Sequence, residues 1–123
     1  MGFWVYLARC GNNSIYTGAT TDLIRRVREH NSGYSGRHGA KYTAAHRPVS
    51  LAQAWEVDSW SDALRLEYAI KRCVRSEKDR LIKQPEQIHH LAQRRNLTFS
   101  ILEASQEVLN QTEGGETNAN RSS

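Results

Sequence analysis

The fold is decided near the N-terminus by residues 3–31, which read FWVYLARCGNNSIYTGATTDLIRRVREHN. Residues 3–9 are rich in aromatic and branched side chains, which favour a β-strand. Residues 11–13 (GNN) tolerate positive φ, and residues 14–18 resume the strand pattern. This arrangement predicts a β-hairpin whose two strands each carry a tyrosine, Tyr6 and Tyr16.

Further elements follow along the chain. A helix is predicted over residues 22–31, capped by Thr21 or Asp22, and a Gly, Ser and basic loop follows over residues 32–40. The later elements are predicted as strands at 41–45 and 50–57 and helices at 59–74 and 77–83, with Ser59 and Asp62 in a capping arrangement. The pattern indicates an α+β fold in ββαβαα order, with a small mixed or antiparallel three-stranded sheet flanked by helices.

The length of 123 residues and the mass of 14.0 kDa fit one domain, predicted over residues 1–83. Residues 84–104 form an extension whose type the pattern leaves open, and the polar residues 105–123 are predicted to be disordered. No segment has the length and apolarity of a membrane span or the pattern of a signal peptide, which predicts a cytoplasmic protein. Two cysteines, Cys10 and Cys73, form no zinc or disulfide pattern and are predicted to be reduced thiols.

Positive charge is concentrated in the predicted domain. Residues 1–83 carry 14 Lys and Arg against 8 Asp and Glu, whereas residues 84–123 carry 3 against 5. A basic segment of this kind suits a polyanion such as nucleic acid. A solvated basic surface without a partner is the alternative.

Two helices carry polar residues in unexpected places. In the first, Arg26 and His30 lie along the border of the buried stripe, whereas Arg25, Arg28 and Glu29 are predicted to point away from it. The alternative reading is that Arg26 extends to solvent and His30 satisfies a backbone carbonyl.

In the second helix, Glu67 falls on the predicted buried face, with Ala63 and Ile70. A carboxylate in an apolar setting must be paired or must bind a cation. Either an ion pair with Lys71 or a metal ion could therefore account for it. Two tyrosines, Arg, His and Glu together suit phosphodiester hydrolysis, and a single inward carboxylate favours a one-metal mechanism.

The motifs Val5-Tyr6-Leu7 and Ile15-Tyr16-Thr17-Gly18, followed by Arg26, His30 and Glu67, resemble the GIY-YIG nuclease superfamily. The segments KYTAAHRPVSL and E-x-x-I-K-R extend the resemblance over residues 3–83, to the small single-domain UPF0213 branch. The first motif reads VYL rather than GIY, and the second reads YTG rather than YIG. A further Asn that follows the Glu in some relatives has no clear counterpart.

The resemblance implies one cleft lined by Tyr6, Tyr16, Arg26, His30 and Glu67, with Mg²⁺ or Mn²⁺ bound through Glu67. It implies that one tyrosine is the general base, and Tyr16 is assigned this role because it is closer in sequence to Arg26 and His30. Tyr6 would then position the water or phosphate, Arg26 would stabilise the transition state, and His30 would relay the proton.

Two functional hypotheses follow. The first is a metal-dependent endonuclease of low sequence specificity that cleaves DNA in repair or recombination, with specificity supplied by a partner protein. The second is a nucleic-acid-binding module that uses the same fold without cleavage. The basic residues expected to contact the nucleic acid are Arg25, Arg37, Lys41, Lys71 and Arg72.

Overall fold

An antiparallel hairpin forms the N-terminal part of the fold in the computed structural model, which describes residues 2–32 and 46–111. Strand β1 is Phe3–Arg9 and strand β2 is Ile15–Thr20. Asn13 at the turn has a φ of 69°, a conformation that Asn tolerates better than most residues. The pairing places Tyr6 directly opposite Gly18.

Helix α1, Leu23–Ser32, starts one residue later than predicted because Asp22 is its cap. The Asp22 Oδ1 atom accepts a hydrogen bond of 3.0 Å from the backbone N–H of Arg25. Strand β3 is Ser50–Val57, as predicted, and helix α2 is Trp60–Lys71. The predicted cap of α2 is confirmed, since the N–H of Asp62 donates to the Ser59 hydroxyl.

Helix α2 was predicted to run to residue 74, but it ends at Lys71 with Arg72 as its C-cap, and the backbone is extended at Val74. Helix α3, Arg75–Lys83, therefore begins two residues earlier than the sequence predicted. The predicted loop at 32–40 lies outside the described residues except at its first position, and the predicted strand at 41–45 lies outside them entirely.

The extension after residue 83 is ordered and adds to the fold. A 3₁₀ turn, Pro85–Gln87, leads into helix α4, Ile88–Arg94, and then into strand β4, Leu102–Glu103. Strand β4 pairs with β3, so the sheet of the described residues has four antiparallel strands in the order β2-β1-β3-β4, where three were predicted. The α+β class with flanking helices is as predicted.

The predicted disordered segment began at residue 105, whereas residues 106–111 form a helix, α5. Its Val108 and Leu109 pack against buried residues of the sheet, which explains why this polar stretch is ordered. Residues 112–123 lie outside the described part of the chain.

The sheet is covered on both faces, and successive side chains of β1 point to opposite faces. Val5 and Leu7 of β1 face one core, shared with buried residues of α2, α3 and α4. Tyr6 and Ala8 face the other, shared with α1. Across residues 2–32 and 46–111, no helix combines the length and apolarity needed to cross a bilayer. Cys10 and Cys73 are buried free thiols, as predicted.

Candidate active site

An open cleft of about 600 Å³ lies where strands β1 and β2 meet the first two turns of α1 and one side of α2. Four of the five residues predicted for the site line it, namely Tyr6, Tyr16, Arg26 and Glu67. The fifth, His30, lies behind Tyr6 and is fully buried rather than at the border of the core as predicted. The fold thus brings residues from four elements to one place.

Tyr6 lines the cleft, and His30 is buried behind it. The Tyr6 hydroxyl oxygen lies 2.9 Å from Nε2 of His30, which is hydrogen-bonding distance. The Tyr6 ring lies against Gly18 on the neighbouring strand, where an added Cβ would be 2.5 Å from the hydroxyl oxygen. Gly18 therefore makes room for Tyr6, a role that could have been inferred from the hairpin register but that sequence reasoning missed.

The protonation of this pair follows from burial. Burial lowers the pKa of His30 to about 4, and the positive charge of Arg26 acts in the same direction. Burial raises the pKa of Tyr6 well above its usual range, although Arg26 partly opposes this increase. At pH 7 the pair is therefore a neutral phenol beside a neutral imidazole, whose Nε2 can accept the phenol proton when Nδ1 carries the ring hydrogen.

Tyr16 forms part of the cleft wall beside this pair. Its ring centroid lies 5.4 Å from the His30 ring, in an edge-on arrangement, and 6.4 Å from the Tyr6 ring. Tyr16 is partly exposed, in contrast to Tyr6. Proximity in sequence favoured Tyr16 as the partner of His30, but the hydroxyl that lies at hydrogen-bonding distance from His30 is that of Tyr6.

Arg26 is held in place by Glu29, one turn further along α1. The guanidinium donates to Glu29 Oε1 at 3.0 Å, and the Arg26 side chain is 11% exposed. Glu29, predicted to point away from the buried stripe, lies in the wall of the open cleft beside Arg26 and is 19% exposed. The i, i+3 spacing of the two residues was the available signal.

Glu67 projects into the cleft from α2 and is 17% exposed. Its Oε2 atom lies 3.3 Å from the Lys71 ammonium, one turn along the helix. The ion pair with Lys71 is therefore present, and Glu67 lines the same cleft as the two tyrosines. Lys71 is half exposed and also lines the cleft, so this ion pair lies at the mouth of the cleft.

The predicted nucleic-acid contacts divide into three groups. Arg25 and Lys71 line the cleft. Arg72 lies outside it and places its guanidinium 5.6 Å from the centre of the Tyr68 ring. Arg37 and Lys41 lie outside the described residues.

Asn31 fixes the far end of α1 to the start of β3, a role that sequence reasoning missed. Its side-chain amide donates to the carbonyl of Val49 at 2.8 Å, and its side-chain oxygen accepts from the Val49 N–H at 2.7 Å. The Arg47 guanidinium donates to the Asn31 carbonyl. Because His30 precedes Asn31, these bonds also fix the position of the imidazole behind Tyr6.

Two carboxylates are the groups of the cleft that could hold a divalent cation. Glu67 and Glu29 supply carboxylate oxygens, the ligand type that Mg²⁺ prefers, and Glu29 is engaged by Arg26. Within residues 2–32 and 46–111, no cluster of three or more His, Cys, Asp and Glu side chains is placed to hold a metal. A single carboxylate still fits Mg²⁺, which commonly keeps several waters and binds substrate phosphate oxygens.

Comparison with known proteins agrees with the motifs. A family model described as the GIY-YIG catalytic domain matches residues 2–80. The chain is 45% identical over 86 residues to a UPF0213 protein of Syntrophus aciditrophicus, covering 69% of this chain and 95% of that protein. It is 47% identical over 77 residues to one of Halobacterium salinarum, covering 63% and 95%.

A solved structure was also found, the solution NMR structure of a UPF0213 protein from Bacillus halodurans. It is 32% identical, with a TM-score of 0.43, and the match covers 72% of this chain and 94% of that one. With the family match over residues 2–80, the chain belongs to the GIY-YIG nuclease family, as its motifs predicted. Within that family its relatives place it in the UPF0213 branch.

Proposed function

We propose that this protein is a metal-dependent endonuclease that hydrolyses phosphodiester bonds in DNA. The observation that supports this proposal is the convergence of Tyr6, Arg26 and Glu67 in one cleft of a nuclease-family domain, with His30 bonded behind Tyr6. Each of these groups meets one need of the reaction. A water must lose a proton, the phosphorus oxygens gain charge, and the leaving oxygen must be stabilised.

Arg26 is the group that meets the charge on the phosphorus oxygens. Its side chain is largely buried, so its charge acts in a medium of lower dielectric than water. The bond from Arg26 to Glu29 holds the guanidinium before the substrate arrives, which reduces the reorganisation needed during the reaction.

Tyr6 is the proposed general base, in place of Tyr16. A free phenolate at Tyr6 is disfavoured because burial raises its pKa. This difficulty disappears if the phenol oxygen takes the proton from water while its own proton passes to Nε2 of His30, 2.9 Å away. Tyr16, at the partly exposed wall, then positions the water or the phosphate.

Glu67 is the proposed ligand for Mg²⁺ or Mn²⁺, in a one-metal arrangement. A divalent cation there would supply Lewis-acid stabilisation of the charge on the phosphate and the leaving oxygen. Because the Lys71 ammonium lies 3.3 Å from the Glu67 carboxylate, a metal ion bound to this carboxylate would displace the ammonium. The side chain of Lys71 is half exposed and can move to meet a neighbouring phosphate.

The proposed enzyme has low intrinsic sequence specificity. The described groups of the cleft suit the phosphate backbone rather than the base edges, and backbone contacts carry no direct sequence information. Because such contacts do not select a sequence, the proposal includes a partner protein that selects the target. It also includes a role in DNA repair or recombination in the cytoplasm.

The test is a cleavage assay with matched arginine variants. Purified protein is incubated with end-labelled single-stranded, branched and plasmid DNA in Mg²⁺ or Mn²⁺, and products are resolved on gels. We expect wild type and the surface variant Arg28→Gln to cleave at the same rate and Arg26→Gln to lose most of the activity. Equal cleavage by the two variants would point to a contaminating nuclease and would contradict the proposal.

A second candidate function is favoured by the ion pair between Glu67 and Lys71, which is the arrangement expected if the carboxylate has a structural role. In that case the protein binds nucleic acid without cleaving it. Binding would then fall steeply with salt and persist in Glu67→Ala, but weaken when Arg25 or Arg72 is neutralised. The absence of metal-dependent cleavage on every substrate would support this alternative.

A further inference from the structure

Helix α2 exposes large apolar side chains beside the proposed active site. Trp60 is 41% exposed, Leu64 is 44% exposed and Tyr68 is 62% exposed. They recur every four residues and therefore lie along one side of the helix. Burying them would be favourable, so their exposure as a row needs an explanation.

This row begins inside the cleft and leads out of it. Trp60 and Leu64 line the cleft together with Glu67 and Lys71. The ring of Phe3 lies 6.4 Å from the ring of Trp60, so that the indole has an aromatic neighbour beside the site. Tyr68 continues the row one turn further along the helix.

Positive charge lies at the Tyr68 end of the row and across the cleft from it. The Arg72 guanidinium stacks over the Tyr68 ring at 5.6 Å, and Lys71 lies at the mouth of the cleft. Across the cleft, Arg25 extends from α1 with an exposed side chain. Aromatic faces interleaved with cations match a ligand that is both aromatic and anionic.

Unpaired nucleotides present exposed aromatic faces together with negative charge, whereas the double helix presents only the charge. In a duplex the base faces are stacked on one another and are not available to a protein side chain. In a single strand or a splayed end, each base exposes a π-face and each phosphate remains charged. An uncharged apolar partner would match the apolar side chains but would leave the cations without a counter-charge.

We propose that Trp60 stacks an unpaired base next to the scissile phosphate, and that Leu64, Tyr68 and Arg72 continue the path of the strand. The substrate class is DNA with unpaired nucleotides, such as single strands, flaps and splayed ends. This inference rests on the proposed function for the position of the scissile bond. Binding at the row, however, can be measured without cleavage.

The fluorescence of Trp60 reports on this contact directly. Trp55 is fully buried and Trp4 is partly buried, so Trp60 is the most exposed tryptophan. Titration with a short oligo(dT) strand in metal-free buffer should quench wild-type emission. Trp60→Phe keeps an aromatic ring, so it should still bind a labelled strand, as measured by fluorescence anisotropy. The quenching of tryptophan emission should be lost in this variant. Unquenched wild-type emission at saturating oligo(dT) would overturn the proposal.

The affinities for a single strand and for a duplex separate base stacking from charge attraction, because only the single strand exposes base faces to Trp60. We expect Trp60→Ala to bind a labelled single strand about tenfold more weakly than wild type, and to bind a duplex of the same length unchanged. Val74→Ala, which truncates an exposed apolar residue beyond the end of α2, is the matched control and should bind both as wild type does. Equal single-strand affinity in Trp60→Ala and wild type would overturn the proposal, provided that circular dichroism shows both to be folded.

These measurements distinguish the two proposals from each other. Stacking of single strands without cleavage in Mg²⁺ would leave this inference standing and contradict the nuclease. Conversely, cleavage of duplex and single strands at the same rate, with no effect of Trp60→Ala, would leave the nuclease standing and remove the preference for unpaired nucleotides.

Discussion

The hydroxyl oxygen of Tyr6 lies 2.9 Å from Nε2 of His30, and both side chains are buried between the sheet and α1. This contact links the wall of the cleft to an imidazole that the cleft does not expose. A proton taken up at the Tyr6 oxygen therefore has an acceptor ready behind it. The proposed catalysis depends on this pair more than on any other contact.

Tyr6→Phe removes the hydroxyl and leaves the ring. We expect cleavage to slow by about 10²- to 10⁴-fold, since this is the usual contribution of a positioned acid or base, while the fold is retained. Single-turnover cleavage rates at saturating protein measure the effect. Ser76→Ala, which removes a hydroxyl at an exposed position outside the cleft, should cleave as wild type does, and an equally active Tyr6→Phe would remove Tyr6 from the chemistry.

The buried imidazole makes stability depend on pH. The pKa of His30 is lowered to about 4 by burial and by Arg26, whereas an unfolded chain has a value near 6.5. Between these values the unfolded state binds a proton that the folded state does not. The free energy of unfolding should therefore fall as the pH drops from about 6.5 to 4, by up to about 1.4 kcal/mol per pH unit from this group.

Denaturant unfolding across this pH range measures that slope. His30→Gln, which cannot titrate, should show a shallower fall than wild type, whereas His90→Gln, at an exposed histidine, should match the wild-type slope. Above pH 6.5, His30 should contribute no pH dependence. Parallel curves for His30→Gln and wild type would show that His30 is not buried in its neutral form.

Gly18→Ala tests the packing of the Tyr6 ring. An added Cβ would approach the Tyr6 Cζ atom at 2.6 Å, so the ring must move. We expect a loss of about 1–3 kcal/mol in the free energy of unfolding, together with slower cleavage. In a Tyr6→Leu background the same change should cost much less, and a double-mutant cycle without such coupling would show that the two residues do not constrain each other.

Asn31→Ala tests how α1 is fixed to β3. The substitution leaves the N–H and the carbonyl of the buried Val49 without the two bonds that Asn31 provides, and we expect a loss of about 2 kcal/mol. Thermal unfolding measures this loss. Asn12→Ala also removes side-chain bonds, but in an exposed turn, and should cost less. A larger loss for Asn12→Ala would contradict this assignment.

Local periodicity was sufficient to predict most of the elements of the fold. The bounds of β1 follow from its aromatic and branched side chains, and the cap of α2 follows from Ser59 and Asp62. Strand β4 could not be predicted, because a two-residue strand has no period of its own and depends on the edge of β3. The helix at 106–111 likewise depends on apolar contacts with the sheet.

The candidate site was predictable in its residue types but not in its contacts. The motif gave Tyr6, Tyr16, Arg26, His30 and Glu67, and four of these line the cleft. Sequence distance could not show which tyrosine meets His30, since the hairpin places both rings near the imidazole. The pairing of Glu29 with Arg26 follows from their i, i+3 spacing on α1, but the cleft that they line depends on how the elements pack.

The most direct test of the nuclease compares Glu67→Gln with wild type in a Mg²⁺ titration of single-turnover cleavage. The substitution keeps the shape of the side chain but removes the charge that attracts the cation. We predict a rate reduced by at least about 100-fold at every Mg²⁺ concentration, with Glu107→Gln, at an exposed carboxylate, unchanged. Cleavage by Glu67→Gln at the wild-type rate and with the same Mg²⁺ dependence would contradict the proposed metal-dependent mechanism.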